Sequence, residues 1–320
     1  MAVTAPLKLS DVNDALLPRT ITGPIFEKSV ERSAVMSLAQ RAPLAIDANT
    51  SVPIPMDVPT ADWVGSAQAK PLSSGAVGIK TMQPRKIAVL IPVAEEVAMT
   101  NAGGLFTQLQ RDLPTAFARA FDMAAIHGKT MKGAAGPFSD YLAMTSNSVA
   151  LGTAAQAEGG VWADFVNGMG QVVDQDWDYT GTVADHRLKP TLLLATDTTG
   201  RPILVDTTQP GMQQAAAGTL IGEPLAYSRS VSGKQRRQST SSDTGLRAIG
   251  GDWSQAAYGV GMDITVRISK EATYVDEEGG VHSAFQENLV LILAEAFYGY
   301  VQGDAEAFVK FTGTPSGSAS

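Results

Sequence analysis

The chain has 320 residues, a formal net charge of −8, 44% hydrophobic and 18% charged residues, and no cysteine. That balance belongs to a folded globular protein with core enough for one large domain or two, and it excludes an intrinsically disordered chain. Zero cysteines exclude disulfides, thiolate metal sites and cysteine nucleophiles, and they fit a reducing compartment.

Residues 1–25 read as an irregular arm punctuated by Pro6, Pro18 and Gly23-Pro24, without the apolar block of a signal peptide. Residues 27–41 read as a short amphipathic helix with Phe26, Val30, Ala34 and Leu38 on one side, stopped by Pro43. Residues 51–97 then read as a long two-stranded arm. One limb runs from Val52-Pro53-Ile54-Pro55 to Trp63-Val64, and the return limb alternates through Val77, Ile79, Ile87, Val89, Ile91 and Val93. Prolines at 53, 55, 59, 71 and 84 mark an edge-like ribbon. A lone two-stranded ribbon is marginal in water, so this one is expected to lie on something else, with a neighbouring copy of the chain the natural candidate.

The strongest helix signal covers residues 105–127. Leu105, Leu109, Leu113, Phe117 and Phe121 recur at four-residue spacing, Gly128 is a suitable stop, and Pro114 should kink the helix or start a second one. Residues 133–160 read as loop, 161–173 as helix, 182–184 as strand and 186–195 as helix. Turns are expected at Asp197-Thr198-Thr199-Gly200 and Gly222-Glu223-Pro224, and residues 228–245 as a polar, mobile loop. Residues 263–269 alternate as a strand, and 288–301, nearly all apolar, form one buried strand or a pair. No internal repeat occurs, no run of about 18 apolar residues predicts a membrane span, and residues 313–320 read as a loose tail. The result is an α+β protein: a layer of helix and long strands with an inserted α/β region near 133–250.

This order of parts resembles the major capsid proteins of tailed bacteriophages, the HK97-fold family, over nearly the whole chain. The resemblance rests on Trp63-Val64, Lys70-Pro71 and the run from Arg85-Lys86-Ile87 to Glu95-Glu96-Val97. Phe121-Asp122 through His127-Gly128, Gly222-Glu223-Pro224 and Gly251-Asp252-Trp253 add to it. So do Ile268-Ser269, Phe285-Gln286-Glu287-Asn288 and Ala307-Phe308-Val309-Lys310. The resemblance implies an N-terminal arm (1–50), an extension loop (51–90), a peripheral domain on a long spine helix (91–132 and 251–298) and an axial domain (133–250 and 299–320). It implies hexamers and pentamers closing into an icosahedral head around double-stranded DNA, a structural rather than enzymatic role, and no cofactor. Implied partners are other copies of the chain, a portal, separate scaffolding and decoration proteins, and DNA held without sequence-specific binding, with no membrane. The expected location is the virion, with assembly in the host cytoplasm.

Self-cleaving members carry a helical, charge-rich scaffolding segment ahead of the arm. With the arm helix beginning by Glu27, that segment is expected to be absent and scaffolding to come from another protein or none. Ser66 follows Trp63-Val64-Gly65 where relatives often carry Glu, which removes an ion-pair partner there. The acidic balance argues against a tight nucleic-acid sheath but permits a mildly acidic wall that leaves DNA free to move. An encapsulin-type compartment shell shares the fold and is the alternative. A soluble α/β enzyme with a site in 133–250 is the rival from another class.

Some relatives weld their shells with isopeptide bonds, in which a loop lysine attacks an asparagine of another subunit with help from a glutamate. The matching positions are Lys70, Asn288 and Glu295. A nucleophilic lysine must lose its proton, which apolar burial favours. A glutamate in apolar sequence (Leu293-Ala294-Glu295-Ala296-Phe297) can shuttle that proton. On one extended strand, Asn288 and Glu295 would stand about 23 Å apart on opposite faces, so the reaction would have to cross subunits. The plainer alternative is that Glu295 pairs with an arginine across an interface.

Other signals lead to ordinary roles. Gly128-Lys129-Thr130 echoes a phosphate-binding loop, but Met123 stands where that motif needs glycine. His127, His186 and His282 lack metal-ligand spacing, and Asp276-Glu277-Glu278-Gly279-Gly280 lacks the alternation of a calcium loop. Lys234, Arg236 and Arg237 form the one dense basic patch, expected to be solvated, and no nucleophile elbow or nucleotide fingerprint occurs.

Overall fold

The computed structural model describes residues 33–55, 62–64, 66, 70, 77–100, 105–155, 158–195, 204–205, 216–234, 242–276 and 279–313. The first half holds α1 (Ala34–Leu38), β1 (Gln40–Pro43), β2 (Thr50–Pro55), β3 (Val77–Met82), β4 (Arg85–Ala94), α2 (Glu95–Thr100), α3 (Leu105–His127) and β5 (Ser148–Ala150). Next come α4 (Val161–Val173), β6 (Gly181–Ala184), α5 (Lys189–Leu194), β7 (Leu204–Val205), β8 (Ala216–Leu220), β9 (Glu223–Tyr227) and β10 (Leu246–Gly251). The chain closes with β11 (Ala256–Ser269), β12 (Thr273–Val275), β13 (Val281–Ser283), β14 (Leu289–Gln302) and β15 (Phe308–Thr312).

A four-stranded sheet in the order β1-β11-β14-β4 is built on two 14-residue strands, β11 and β14. At about 3.3 Å per residue each of these is roughly 46 Å long. The 23-residue α3 lies along one face of this sheet. Its stripe of Leu113, Phe117 and Phe121 packs on Tyr258, Ala294, Ala296, Tyr298 and Tyr300. Phe121 meets Phe138, Tyr258, Tyr298 and Tyr300 edge-on, with ring centroids 5.8 to 6.4 Å apart. Such pairings add to the area that the rings bury.

A seven-stranded sheet, β5-β15-β10-β6-β9-β8-β7, carries α4 on one side. Phe165 of α4 stacks on Phe311 at 4.4 Å, and a side chain at Gly168 would collide with the Phe311 ring. The two sheets share one core, because Val183, Ala226, Ile249 and Phe308 join the cluster that contains α3 and the long strands. Among the described residues no helix is long and apolar enough to cross a membrane.

Several expectations change. The helix foreseen over 27–41 ends at Leu38, and Gln40–Pro43 is instead a strand paired in parallel with Ala257–Val260; residues 27–32 lie outside the described residues. Pro114 sits inside one continuous helix and starts no second one. The stretch expected as a mobile polar loop is packed from Ser228 to Gly233, with Ser228, Ser230 and Ser232 buried. Ser228 Oγ donates to Asp122, Ser230 Oγ to the Arg119 carbonyl, and His127 Nε2 lies 3.1 and 2.9 Å from the carbonyl oxygens of Ser230 and Val231. Those oxygens can only accept, so this ring nitrogen carries the hydrogen, and burial favours the neutral ring. The apolar run expected at 288–301 is a single strand, Leu289–Gln302, and the strand expected at 263–269 begins seven residues earlier. The turn expected at 197–200 and the tail from residue 314 lie outside the described residues.

Candidate functional site

The arm is shorter at its root than the alternation suggested. β2 pairs with β3, from Thr50 opposite Met82 to Pro55 opposite Val77. The second half of the expected return limb is β4, which leaves the ribbon at Gln83-Pro84 and forms an edge of the four-stranded sheet against β14. Alternation reads identically in both settings, because a ribbon limb and a sheet edge each bury alternate side chains. Pro53 and Pro55 are tolerated because the ribbon has only two strands and leaves outward amides unpaired.

The ribbon is seated on the face of the sheet opposite α3. Leu44, Met82, Ala257 and Val301 form a small cluster there, with Ala42 and Val52 against it. Gly259 and Gly299 lie directly opposite each other and form the floor under Met82, which is fully buried. Beyond this root the arm shows apolar side chains to solvent, with Ile79 71% and Trp63 fully exposed. Lys80 reaches Asp140 at 2.9 Å, a surface ion pair of small worth.

Lys70 is exposed. Asn288 is exposed too and lies just ahead of β14 in left-handed backbone, φ +51°, where its carbonyl accepts the Glu95 amide at 2.9 Å. The strand starts one residue later, so strand alternation does not set the direction of the Asn288 side chain as expected. Seven residues of rise still separate it from Glu295 by roughly 23 Å. Glu295 belongs to the outward set of β14, with Leu289, Leu291, Leu293 and Phe297; the inward set meets α3. Its side chain is 12% exposed and forms an ion pair with Lys86 of β4, whose own side chain is 49% exposed. The partner is therefore a lysine of the same chain. Lys86 sits opposite Phe297, and Ala88 sits opposite Glu295. Among the described residues no hydrogen bond or ion pair joins Lys70, Asn288 and Glu295 to one another.

Two groups escaped the reading of the sequence. Lys86 was named only within the run from Arg85-Lys86-Ile87, with no role of its own, and its partner is 209 positions away. Asp122 is buried in the C-terminal part of α3 and accepts Ser33 Oγ at 2.6 Å and Ser228 Oγ at 2.7 Å. The Ala34 and Val35 amides at the start of α1 also point to it, at 3.3 and 3.4 Å. Burial pushes its carboxyl up to about 6 against these hydrogen bonds.

The remaining signals are structural. Gly128 ends α3 at φ +61°. His282 is held between Glu287 at 2.8 Å and Asp276 at 3.0 Å, stacked on Tyr274, and the Glu287 and Asp276 contacts raise its pKa. Asp276 and Gly280 close the β12–β13 turn through Gly280 N–H donating to the carboxylate at 2.6 Å. Among the described residues no group of His, Asp and Glu is arranged to hold a metal. Lys234 gives its carbonyl to Arg187, while Arg236 and Arg237 lie outside the described residues.

A family model described as the phage capsid family matches residues 13–313. The protein described as "Probable major capsid protein gp17" of Mycobacterium phage D29 is 28% identical over 297 residues, covering 91% of this chain and 88% of that protein. Its namesake from Mycobacterium phage L5 is 29% identical over 299 residues, covering 90% and 86%. A solved structure from Gordonia phage Cozz superposes with a TM-score of 0.67 at 27% identity, over 88% of this chain and 87% of the other.

Proposed function

Because the chain belongs to the phage capsid family, we propose that it forms the wall of a phage head, in which hexamers and pentamers of this one subunit close around double-stranded DNA. The observation that carries this reading is the arm: its root is buried in its own subunit, while Ile79 and Trp63 find no cover there. Exposed apolar groups on a ribbon that cannot stand alone call for a neighbouring copy, and closed symmetry lets one chain cover a large surface. In this reading the extension loop, expected over 51–90, is the ribbon up to Gln83-Pro84, β4 joins the peripheral domain of 91–132 and 251–298, and the axial domain covers 133–250 and 299–320. The partners are further copies, a portal, separate scaffolding and decoration proteins, and DNA. A net charge of −8 suits a wall that does not grip its contents. Assembly takes place in the host cytoplasm. Electron microscopy of the purified chain should show closed shells or capsomer-sized rings; a preparation of monomers and dimers alone would overturn the proposal.

The shell is sealed by an isopeptide bond from Lys70 of one subunit to Asn288 of another, with Glu295 of a third as the proton carrier. The lysine Nζ forms a bond to the asparagine Cγ and the Cγ–Nδ2 bond breaks. The proton lost by the lysine passes through Glu295 to the departing nitrogen, which leaves as ammonia. Exposure of Lys70 and Asn288 leaves both free to meet another subunit, and the roughly 23 Å between Asn288 and Glu295 keeps one chain from supplying both. Denaturing gels of mature shells should show a ladder above the 33.5 kDa monomer. Shells of Lys70→Met should run as monomer alone.

A further inference from the structure

A basic patch assembles on the subunit from three separate segments. The strap after β9 is pinned at two alternate residues, with Ser228 Oγ donating to Asp122 and Ser230 Oγ to the Arg119 carbonyl, both on α3. Arg229 lies between these pins and is exposed. Just ahead of them, the Tyr227 ring packs against His186 with centroids 5.5 Å apart, and Lys189 Nζ lies 5.8 Å from the same ring. Arg119 follows the sheet-facing Phe117 by two residues, about 200° around the helix, so it points away from the sheet. Burial and the nearby charges of Arg229, Lys189 and Arg119 together hold the His186 ring below its usual pKa.

These cations are not gathered for one another. Among the described residues neither Lys189 nor Arg229 forms an ion pair. The one carboxylate acting on His186 is Asp185, which is buried and accepts the Arg187 and Ser232 amides. Arg187 is itself committed to Asp243. Three permanent cations therefore crowd together on a chain of net charge −8, an arrangement that repels itself and favours an arriving anion. A lone carboxylate would meet one of them, whereas a polymer with a phosphate at every step meets several at once, and guanidinium groups grip phosphate through paired hydrogen bonds. The patch lies on the α3 side of the subunit, and the root of the arm is seated on the opposite face of the sheet. Contacts made by the arm and by the patch therefore do not compete.

We propose that Arg119, Lys189 and Arg229 form a phosphate-contact site through which the α3 side of the subunit touches the backbone of double-stranded DNA. The choice of DNA as the phosphate polymer rests on the reading of a DNA-filled head given above. Backbone contacts carry no sequence information, as a wall around an arbitrary genome requires. One such site on an otherwise acidic subunit touches the DNA at points and repels it elsewhere.

The test is binding of a fluorescent duplex of about 12 base pairs to the purified full-length chain, followed by anisotropy from about 20 to about 200 mM salt. Three phosphate contacts predict that log K falls with log salt at a slope of about −2.7. Arg229→Gln should bring the slope to about −1.8, and Arg229→Gln with Lys189→Gln to about −0.9. Arg267 is exposed on β11 opposite Leu293, on the face away from α3, so Arg267→Gln should keep the wild-type slope. A slope unchanged by Arg229→Gln, or lowered as much by Arg267→Gln, would overturn the inference. So would a wild-type chain that binds no duplex at the lowest salt. A double variant that binds the duplex like wild type but no longer assembles would make the patch a contact with an acidic surface of another copy, and would overturn it as well. The expected slopes from a chain that forms only monomers and dimers would leave the phosphate site standing and remove the head.

Discussion

Replacing Asp122 by alanine is expected to destabilise the subunit by about 3 kcal/mol or more, because the change leaves buried donors without an acceptor. Ser33 Oγ, Ser228 Oγ and the Ala34 and Val35 amides all point at this carboxylate. The two hydroxyls each keep one bond, as acceptors, since Ser33 Oγ also accepts the Met36 amide and Ser228 Oγ the Ser230 amide. The two helix-start amides do not, and each orphaned buried amide costs about 1–3 kcal/mol. The lost contacts also join three separate segments: α1, the C-terminal part of α3 and the strap after β9. Guanidinium unfolding of wild type and Asp122→Ala at one fixed chain concentration measures the loss. Equal midpoints would show that the cluster is not holding these segments together.

The same carboxyl gives a pH dependence with a definite sign. In the folded chain it titrates at about 6, against 3.8 in the absence of burial. Between those values the folded state binds a proton that the unfolded state does not. Its contribution to stability therefore rises as pH falls through 6 and levels off below 4, a gain of about 3 kcal/mol. Asp122→Asn keeps one acceptor oxygen and has nothing to titrate. The stability difference between wild type and Asp122→Asn should grow in favour of wild type from pH 7 to pH 4. A difference that stays level across that range would show that the carboxyl is already neutral, or well hydrated, at pH 7.

What could be read in advance followed the strength of the local pattern. The bounds of α3 and α4 matched because four-residue apolar spacing and a closing glycine or loop define a helix without distant help. β14 was legible as a continuous apolar run. Its partner β11 was only half legible, because Ala256-Ala257-Tyr258-Gly259-Val260-Gly261 carries little β-propensity and is a strand for what it packs against. Gln40–Pro43 failed for the same reason: its partner, Ala257–Val260, lies more than 200 residues away. Ser228, Ser230 and Ser232 have the composition of a solvated loop, and only the buried groups on α3 and Asp185 turn them into a strap. Of the site, Lys70, Asn288 and Glu295 were visible through a family resemblance, whereas Lys86 depended on the β4–β14 register, which no local pattern encodes.

Replacing Gly259 by valine is expected to unseat the arm, at a cost of roughly 3 kcal/mol, the upper end of overpacking penalties. A Cβ at this position would lie 2.7 Å from Leu44 Cβ and 2.8 Å from Met82 Sδ. The methionine can swing aside, but Leu44 Cβ is fixed to its backbone, so the strand or the Leu44 segment has to move. Gly299, directly opposite, offers no slack, since a Cβ there would meet Met82 Cγ at 2.7 Å. The converse change, Met82→Ala, empties the same notch and should cost about 2–5 kcal/mol by leaving a cavity under the root. The two variants fail differently. Gly259→Val strains the long strands themselves, whereas Met82→Ala leaves the sheet intact and loosens only the ribbon. Purified Met82→Ala should therefore keep its far-ultraviolet dichroism and become sensitive to proteolysis between residues 50 and 82, with shell yield reduced. Protease resistance in that segment equal to wild type would show that the arm is held by contacts other than Met82 in its glycine notch.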